Sequence, residues 1–314
     1  MEYVIECENL VKVFKSKPPV RALDGVSLKV PSRCIFGFFG PNGAGKSTLI
    51  SILIGLTLPT SGSAKVLSYD TLHESLEIRK RVGILPEGFS FYDNLTALQN
   101  LKYLGMLDGI PPDEVEKIAI EILNKVGLSD RANTKVSTFS RGMKQKLGIA
   151  QALLKNPELL IFDEPTVGVD PEGVIQFREF VQSLVKDGKT VFLSTHLLRD
   201  LGVVCSHTAI IRKGKIVAQG SMEELTQKMK GVKGYGYEIH IKTGDVNRLA
   251  EEIKKLPQIV EVKMEGANKL KVFSGEELGN EIFMLLSKGG YQVEAMVSLK
   301  PEWEDLYKFY SEAI

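Results

Sequence analysis

Gly40-Pro41-Asn42-Gly43-Ala44-Gly45-Lys46-Ser47-Thr48 follows the apolar run Ile35-Phe36-Gly37-Phe38-Phe39 and leads straight into the helix-spaced Leu49, Ile50, Leu53 and Ile54. A run apolar at every position suits a strand buried on both faces, as in a parallel sheet covered by helices. Strand, glycine-rich turn and helix together give the pattern G-x4-G-K-[S/T] in its expected setting. The glycines let the backbone curl until several N–H groups point at one anion, and the opening helix adds its positive end. Lys46 supplies a point charge for β- and γ-phosphates, and the Ser47 hydroxyl is placed for magnesium. The stretch predicts a nucleoside triphosphate site. By itself it does not separate a kinase, a GTPase, a helicase or a transporter motor.

Outward from this loop, continuous apolar runs recur at 82–85, 159–162, 191–194 and 209–211, alternating with helical patterns. This predicts an α/β P-loop NTPase core. The stretch 88–157 reads mostly helical, with Leu98, Leu101, Leu104 and then Val115, Ile118, Ile122 at three- and four-residue spacing, as in an inserted helical subdomain. A helical pattern at 222–229 and a glycine-rich linker at 231–236 then close a first domain expected to span 1–230. Residues 236–314 read strand, helix, strand, strand, helix, strand and a last helix from about Pro301 that carries Trp303, Leu306, Tyr307 and Tyr310. That order predicts a small ferredoxin-like α+β accessory domain.

The chain has 314 residues, enough for about two domains. It is 43% hydrophobic and 25% charged, a globular composition that excludes a disordered or fibrous chain. Forty basic against 39 acidic residues leave a net charge of +1, so no basic field points to nucleic acid. The N-terminal residues lack the basic and apolar regions of a signal peptide, and no apolar run approaches the roughly 18 residues that cross a bilayer. Cys7, Cys34 and Cys205 share no metal-type spacing, which suits reduced thiols in the cytosol. The expectation is a cytoplasmic protein that reaches a membrane only through a partner.

Leu159-Leu160-Ile161-Phe162-Asp163-Glu164 is an apolar strand ending in two acids. Asp163 suits magnesium, and Glu164 suits a general base that polarises the attacking water, since a carboxylate bound to the cation is a poor base. Upstream, Phe139-Ser140-Arg141-Gly142-Met143 precedes an amphipathic helix, offering a hydroxyl, free N–H groups and a helix N-terminus to an anion. Taken alone this is also an ordinary helix cap. In context it resembles the Leu-Ser-Gly-Gly-Gln signature of the ATP-binding cassette (ABC) superfamily.

The resemblance implies more. Asp163-Glu164-Pro165-Thr166-Val167-Gly168-Val169-Asp170 is similar to the family's Walker B strand and D-loop, which places Asp170 at a subunit boundary. His196 resembles the switch histidine that contacts the γ-phosphate, and Phe14 the aromatic on which adenine stacks. In the family, Ser140, Arg141, Gly142 and Met143 would act in trans, on the ATP of a facing subunit. Three positions depart from the usual pattern: Glu87 stands where the Q-loop glutamine is expected, and Arg141 and Met143 replace a glycine and a glutamine. Glu87 can still bind magnesium but has no amide donor. These variants are similar to the cytosolic ATPases of multidrug, sodium and polysaccharide efflux systems.

The resemblance therefore implies a Mg2+-dependent ATP hydrolase that forms a homodimer around two ATP. It would drive a separately encoded integral membrane permease, peripherally, at the cytoplasmic face of the cell membrane. The aromatic stretch Phe89-Ser90-Phe91-Tyr92 would receive a coupling helix of that permease, or else pack within the helical subdomain. The C-terminal domain would stabilise the dimer or sense a ligand. A soluble ABC ATPase of translation or DNA repair is the alternative function.

Overall fold

The structure is a computed structural model that describes residues 2–221, 223–225, 235–299, 306 and 309–310, with backbone alone at 198, 199 and 243. It divides into two compact units, Met1–Gln219 and Gly220–Ile314. The glycine-rich residues 231–234, most of the helical pattern at 222–229, and Trp303 and Tyr307 of the last expected helix lie outside the described residues.

In the first unit, β1 (Tyr3–Phe14) and β2 (Val20–Pro31) precede the short buried β3 (Ile35–Phe39), and α1 (Lys46–Leu53) follows the glycine-rich turn. Next come β4 (Ser61–Val66), β5 (Tyr69–Asp70), α2 (Ser75–Arg81) and β6 (Val82–Leu85). The helical insertion holds α3 (Ala97–Leu107), α4 (Pro112–Lys125) and α5 (Arg141–Leu153). The chain then re-enters the core through β7 (Leu159–Asp163), α6 (Pro171–Lys186), β8 (Thr190–Thr195), α7 (Leu198–Leu201), β9 (His207–Arg212) and β10 (Lys215–Ser221).

Six strands form the central sheet in the order β10-β9-β3-β8-β7-β6, and the pairs β9/β3, β3/β8, β8/β7 and β7/β6 are parallel. Every residue of β3, β7 and β8 is buried, as their unbroken apolar runs require. Phe36 and Phe192 stack across β3 and β8 with ring centroids 5.7 Å apart. Removing either ring would cost about 3–5 kcal/mol, because so dense a core collapses only partly.

A second, antiparallel sheet, β2-β1-β4-β5, was not anticipated. Register shifts near Tyr3, Cys7, Leu10 and Lys12 break the two-residue alternation along β1, so no period-2 signal survives there. This sheet carries Phe14 at the end of β1. Its β2 backs onto the glycine-rich turn: a Cβ on Gly45 would come 2.5 Å from the Ala22 carbonyl oxygen.

The second unit runs β11 (Tyr235–Thr243), α8 (Val246–Lys254), β12 (Ile259–Met264), β13 (Lys269–Ser274), α9 (Gly279–Lys288) and β14 (Gln292–Leu299). The sheet order β12-β13-β11-β14, antiparallel throughout, is that of a split β-α-β unit. Asp245 caps α8 by accepting from the N–H groups of Asn247 and Arg248. One face of the sheet buries Ile239, Leu270 and Val272 with Leu249 and Ile282 of the helices. Glu238, Lys269, Lys271 and Glu265 form an ion-pair network outside that core.

Candidate active site

The parallel strands β3, β8 and β7 lie side by side, so the loops leaving their C-terminal ends meet at one edge of the sheet, where open α/β sheets bind ligands. Those loops carry Gly40–Thr48, His196 and Glu164. Gly45 precedes α1 with φ +110°, a left-handed conformation natural to glycine, and the nearby Ala22 carbonyl leaves no room for a side chain. The first-turn N–H groups of Lys46, Ser47 and Thr48 have no intrahelical partner and open onto the loop. Pro41, Asn42 and Gly43 are exposed at its tip, Gly40 and Ala44 buried at its base.

Lys46 is almost fully buried. Its ammonium donates to the Gly40 carbonyl at 2.8 Å and lies 3.2 Å from Oε1 of Glu164. The same oxygen is 3.0 Å from His196 Nδ1, and the Thr195 hydroxyl donates to Oε2 at 2.9 Å. A carboxylate only accepts, so His196 places its proton on Nδ1 in this contact. Burial alone would push the Glu164 carboxyl up. Hydrogen bonding from His196 and Thr195 and the Lys46 charge outweigh it and hold the group below the usual carboxylate range. Glu164 is therefore ionised at neutral pH. It also has φ +50°, a strained conformation for a residue with a Cβ, which carries the chain from the end of β7 into residues 165–170.

Asp163, the last residue of β7, accepts from the Ser47 hydroxyl through Oδ2 at 2.8 Å. Its Oδ1 is buried without a well-aligned hydrogen bond, and the buried Ser194 hydroxyl on the adjacent strand lies close enough to favour the charged carboxylate. Burial raises the Asp163 carboxyl above its ordinary value, and the Ser194 and Ser47 hydroxyls and the Lys46 charge only partly offset it. A buried carboxylate with one oxygen lacking a well-aligned hydrogen bond, joined to a hydroxyl at the phosphate loop, fits a hard divalent cation such as Mg2+.

The residues grouped by sequence as one signature divide between two cavities. Ser140, Gly142 and Met143 line a broad cavity of about 670 Å³ with Asp170. Arg141 instead lines a small one of about 70 Å³ with Glu87, Gln145, Asp163 and Glu164. Ser140 caps α5, its hydroxyl accepting from the Met143 N–H at 3.3 Å. Among the described residues, no hydrogen bond or ion pair joins Ser140, Gly142, Met143 or Asp170 to residues 40–48, and none of those loop residues lines the broad cavity. Phe14 is 42% exposed, with the Lys12 ammonium 5.0 Å from its ring centroid. Sequence reasoning missed Thr195 and Gln145. The i, i+4 spacing of Arg141 and Gln145 on one face of α5 was the available signal for the second.

The ABC transporter family profile matches residues 23–167. The linearmycin resistance ATP-binding protein LnrL of Bacillus subtilis (strain 168) is 38% identical over 228 residues, 73% of this chain and 72% of that protein. The chain belongs to the ATP-binding proteins of ABC transporters. An uncharacterised ABC transporter ATP-binding protein of the same organism, YcbN, is 33% identical and extends over 98% of this chain and 96% of its own length, so the likeness includes the second unit. Among solved structures, the dimeric, post-hydrolysis ATP-binding cassette MJ0796 bound to ADP and Pi has a TM-score of 0.64 at 27% identity, covering 69% of this chain and 98% of that one. This ABC protein thus binds and hydrolyses ATP. No helix among its described residues is long and apolar enough to cross a membrane.

Proposed function

We propose that this ABC ATPase works as a homodimer with two ATP at its interface, coupled to a separately encoded membrane permease at the cytoplasmic face of the cell membrane. The observation that carries the reading is the division of the site. Lys46, Glu164 and His196 converge at one place, while Ser140, Gly142, Met143 and Asp170 line a cavity that includes none of those three. A second copy, turned head to tail, brings that second set to the first copy's nucleotide.

Gly40–Thr48 cradles the phosphates with backbone N–H groups, and Phe14 offers its open face to adenine. Ser47 and Asp163 would hold Mg2+, while Glu87 lines a small cavity beside Asp163 and Glu164 and is not needed for the ion. The bound ion neutralises phosphate charge. When phosphate arrives, Lys46 exchanges Glu164 for an anion, and the freed carboxylate takes a proton from the attacking water, with His196 alongside. Export as the direction is supported by the resistance function in the name of LnrL.

The permease would dock at the groove lined by Leu56, Leu76, Arg79, Ile84 and Leu107 between core and helical subdomain. Leu56, Leu76 and Leu107 are each 67% exposed there. Of the aromatic stretch, Phe89 packs inward near Gly148 of α5, whereas Tyr92 stays exposed, edge-on to Tyr103. The test is affinity capture of tagged Glu164→Gln protein with ATP and Mg2+ from detergent-solubilised membranes of its host. Recovery of a polytopic membrane protein is expected; recovery of ribosomes, repair factors or the bait alone would overturn the transport assignment.

A further inference from the structure

The small cavity behind Glu164 contains three carboxylates, Glu87, Asp163 and Glu164, and a single cation, Arg141. Two of the acids are engaged, Glu164 with Lys46 and His196, Asp163 with Ser47. Glu87 and Arg141 both line this cavity but form no ion pair within 4.0 Å, with each other or with another described residue. They are also two of the positions that depart from the usual family residues, and the departures bring opposite charges to one place.

Helix formation gives no reason for an arginine at 141. It opens α5, where a cation opposes the positive end of the helix, and Ser140 already supplies the cap. The guanidinium lies instead over Gly168: a Cβ added there would meet Cζ and Nη1 at 2.5 Å, and the glycine has φ +73°. An isolated exposed ion pair contributes little, since two long side chains must be ordered to form it. Here the guanidinium already rests against Gly168, so only the Glu87 side chain would have to be ordered to pair with it.

We propose that Arg141 is a positioning residue acting within its own chain, a latch that links Glu87 to Gly168 and so sets the segment 164–168 carrying the hydrolytic carboxylate. The latch rests on the reading of Glu164 as the base. It assigns Arg141 a role in cis, unlike its three signature neighbours. It also requires the flat arginine fork: a lysine keeps the charge but cannot lie over Gly168 in the same way.

The test is steady-state ATP hydrolysis by the full-length protein carrying Glu87→Gln, Arg141→Ala, Arg141→Lys, both neutral changes together, or the exchange Glu87→Arg with Arg141→Glu. Each neutral change is expected to lower kcat about tenfold, with KM for ATP and the Mg2+ requirement within about twofold. The double neutral variant should be no slower than either single, Arg141→Lys should match Arg141→Ala, and the exchange should return kcat to within about threefold of wild type. Single changes that multiply in the double variant overturn the latch. So does a Mg2+ requirement shifted in Glu87→Gln while Arg141→Ala stays at wild-type kcat. If the exchanged protein lacks a cooperative melt, the neutral double variant decides. Glu164→Gln is run in parallel: wild-type turnover there refutes the reading of the base, whatever the latch variants do.

Discussion

Replacing Glu164 with Gln removes one charge and almost no volume from the centre of the site. Lys46 Nζ and Glu164 Oε1 are 3.2 Å apart with side chains only 6% and 4% exposed. At an effective dielectric constant of about 20 their gross attraction is about 5 kcal/mol. Removing one partner of such a buried pair costs roughly 3–5 kcal/mol, largely through the charge left unpaired. Without nucleotide, the variant's Tm should therefore fall by at least about 5 °C. ATP restores the missing anion to Lys46 without having to displace a carboxylate. Recovery of only about 1.4 kcal/mol on binding tightens Kd about tenfold. The assay is calorimetric titration with ATP in EDTA, so that the lysine acts without the metal, beside thermal melts of both proteins. The Glu164 carboxyl lies below its ordinary value of 4.5, so the pair stabilises above that pH and is lost as pH falls through the folded value. The Tm gap between wild type and variant must then close in acid. An unchanged Kd, or a gap constant down to acid pH, would refute the idea that Lys46 is held by Glu164 until ATP arrives.

Asp163 has the opposite sign. Burial raises its carboxyl above 3.8, so its charge costs stability at neutral pH and the cost is relieved as pH falls through the folded value. Asp163→Asn should raise the Tm of the nucleotide-free protein by about 2–4 °C and abolish the extra stabilisation that Mg2+ adds to ATP, both read by melting. Phe14→Ala should weaken ATP binding about three- to tenfold and Phe14→Tyr restore it, by the same titration. Leu76→Glu with Leu107→Glu, both at exposed positions, should leave Tm and basal ATPase unchanged but abolish capture of the membrane partner.

The strand, glycine-rich turn and helix around residues 40–48 were legible because everything that shapes them is contiguous. The buried parallel strands were legible because a short, unbroken apolar run between turn residues suits little besides a strand covered on both faces. Asp163 and Glu164 were legible as acids at the end of such a run. Their partners were not: the contacts of Glu164 with Lys46 and His196 depend on β8 lying between β3 and β7, and no local pattern encodes strand order. The positive φ of Glu164 has no sequence signal either, since the residue before a proline is ordinarily extended. Arg141 read as one letter of a motif, yet helical periodicity turns it toward a different cavity from Ser140 and Gly142, with Gln145 lining both. The sheet holding Phe14 escaped because its bulges erase the alternation that identifies a strand. In the second unit, alternating Tyr237, Ile239 and Ile241 opposite Glu238 and His240 kept that signal intact, and the strand was readable.

If one chain carries two incomplete halves of a nucleotide site, ATP must join two copies. The most direct test is the sedimentation of Glu164→Gln with and without ATP and Mg2+, repeated with Ser140→Glu added. The mass of one chain is expected without nucleotide, the mass of two chains with it, and loss of the doubling when Ser140 is replaced. A single-chain mass at saturating ATP, or a doubling indifferent to Ser140, would contradict it.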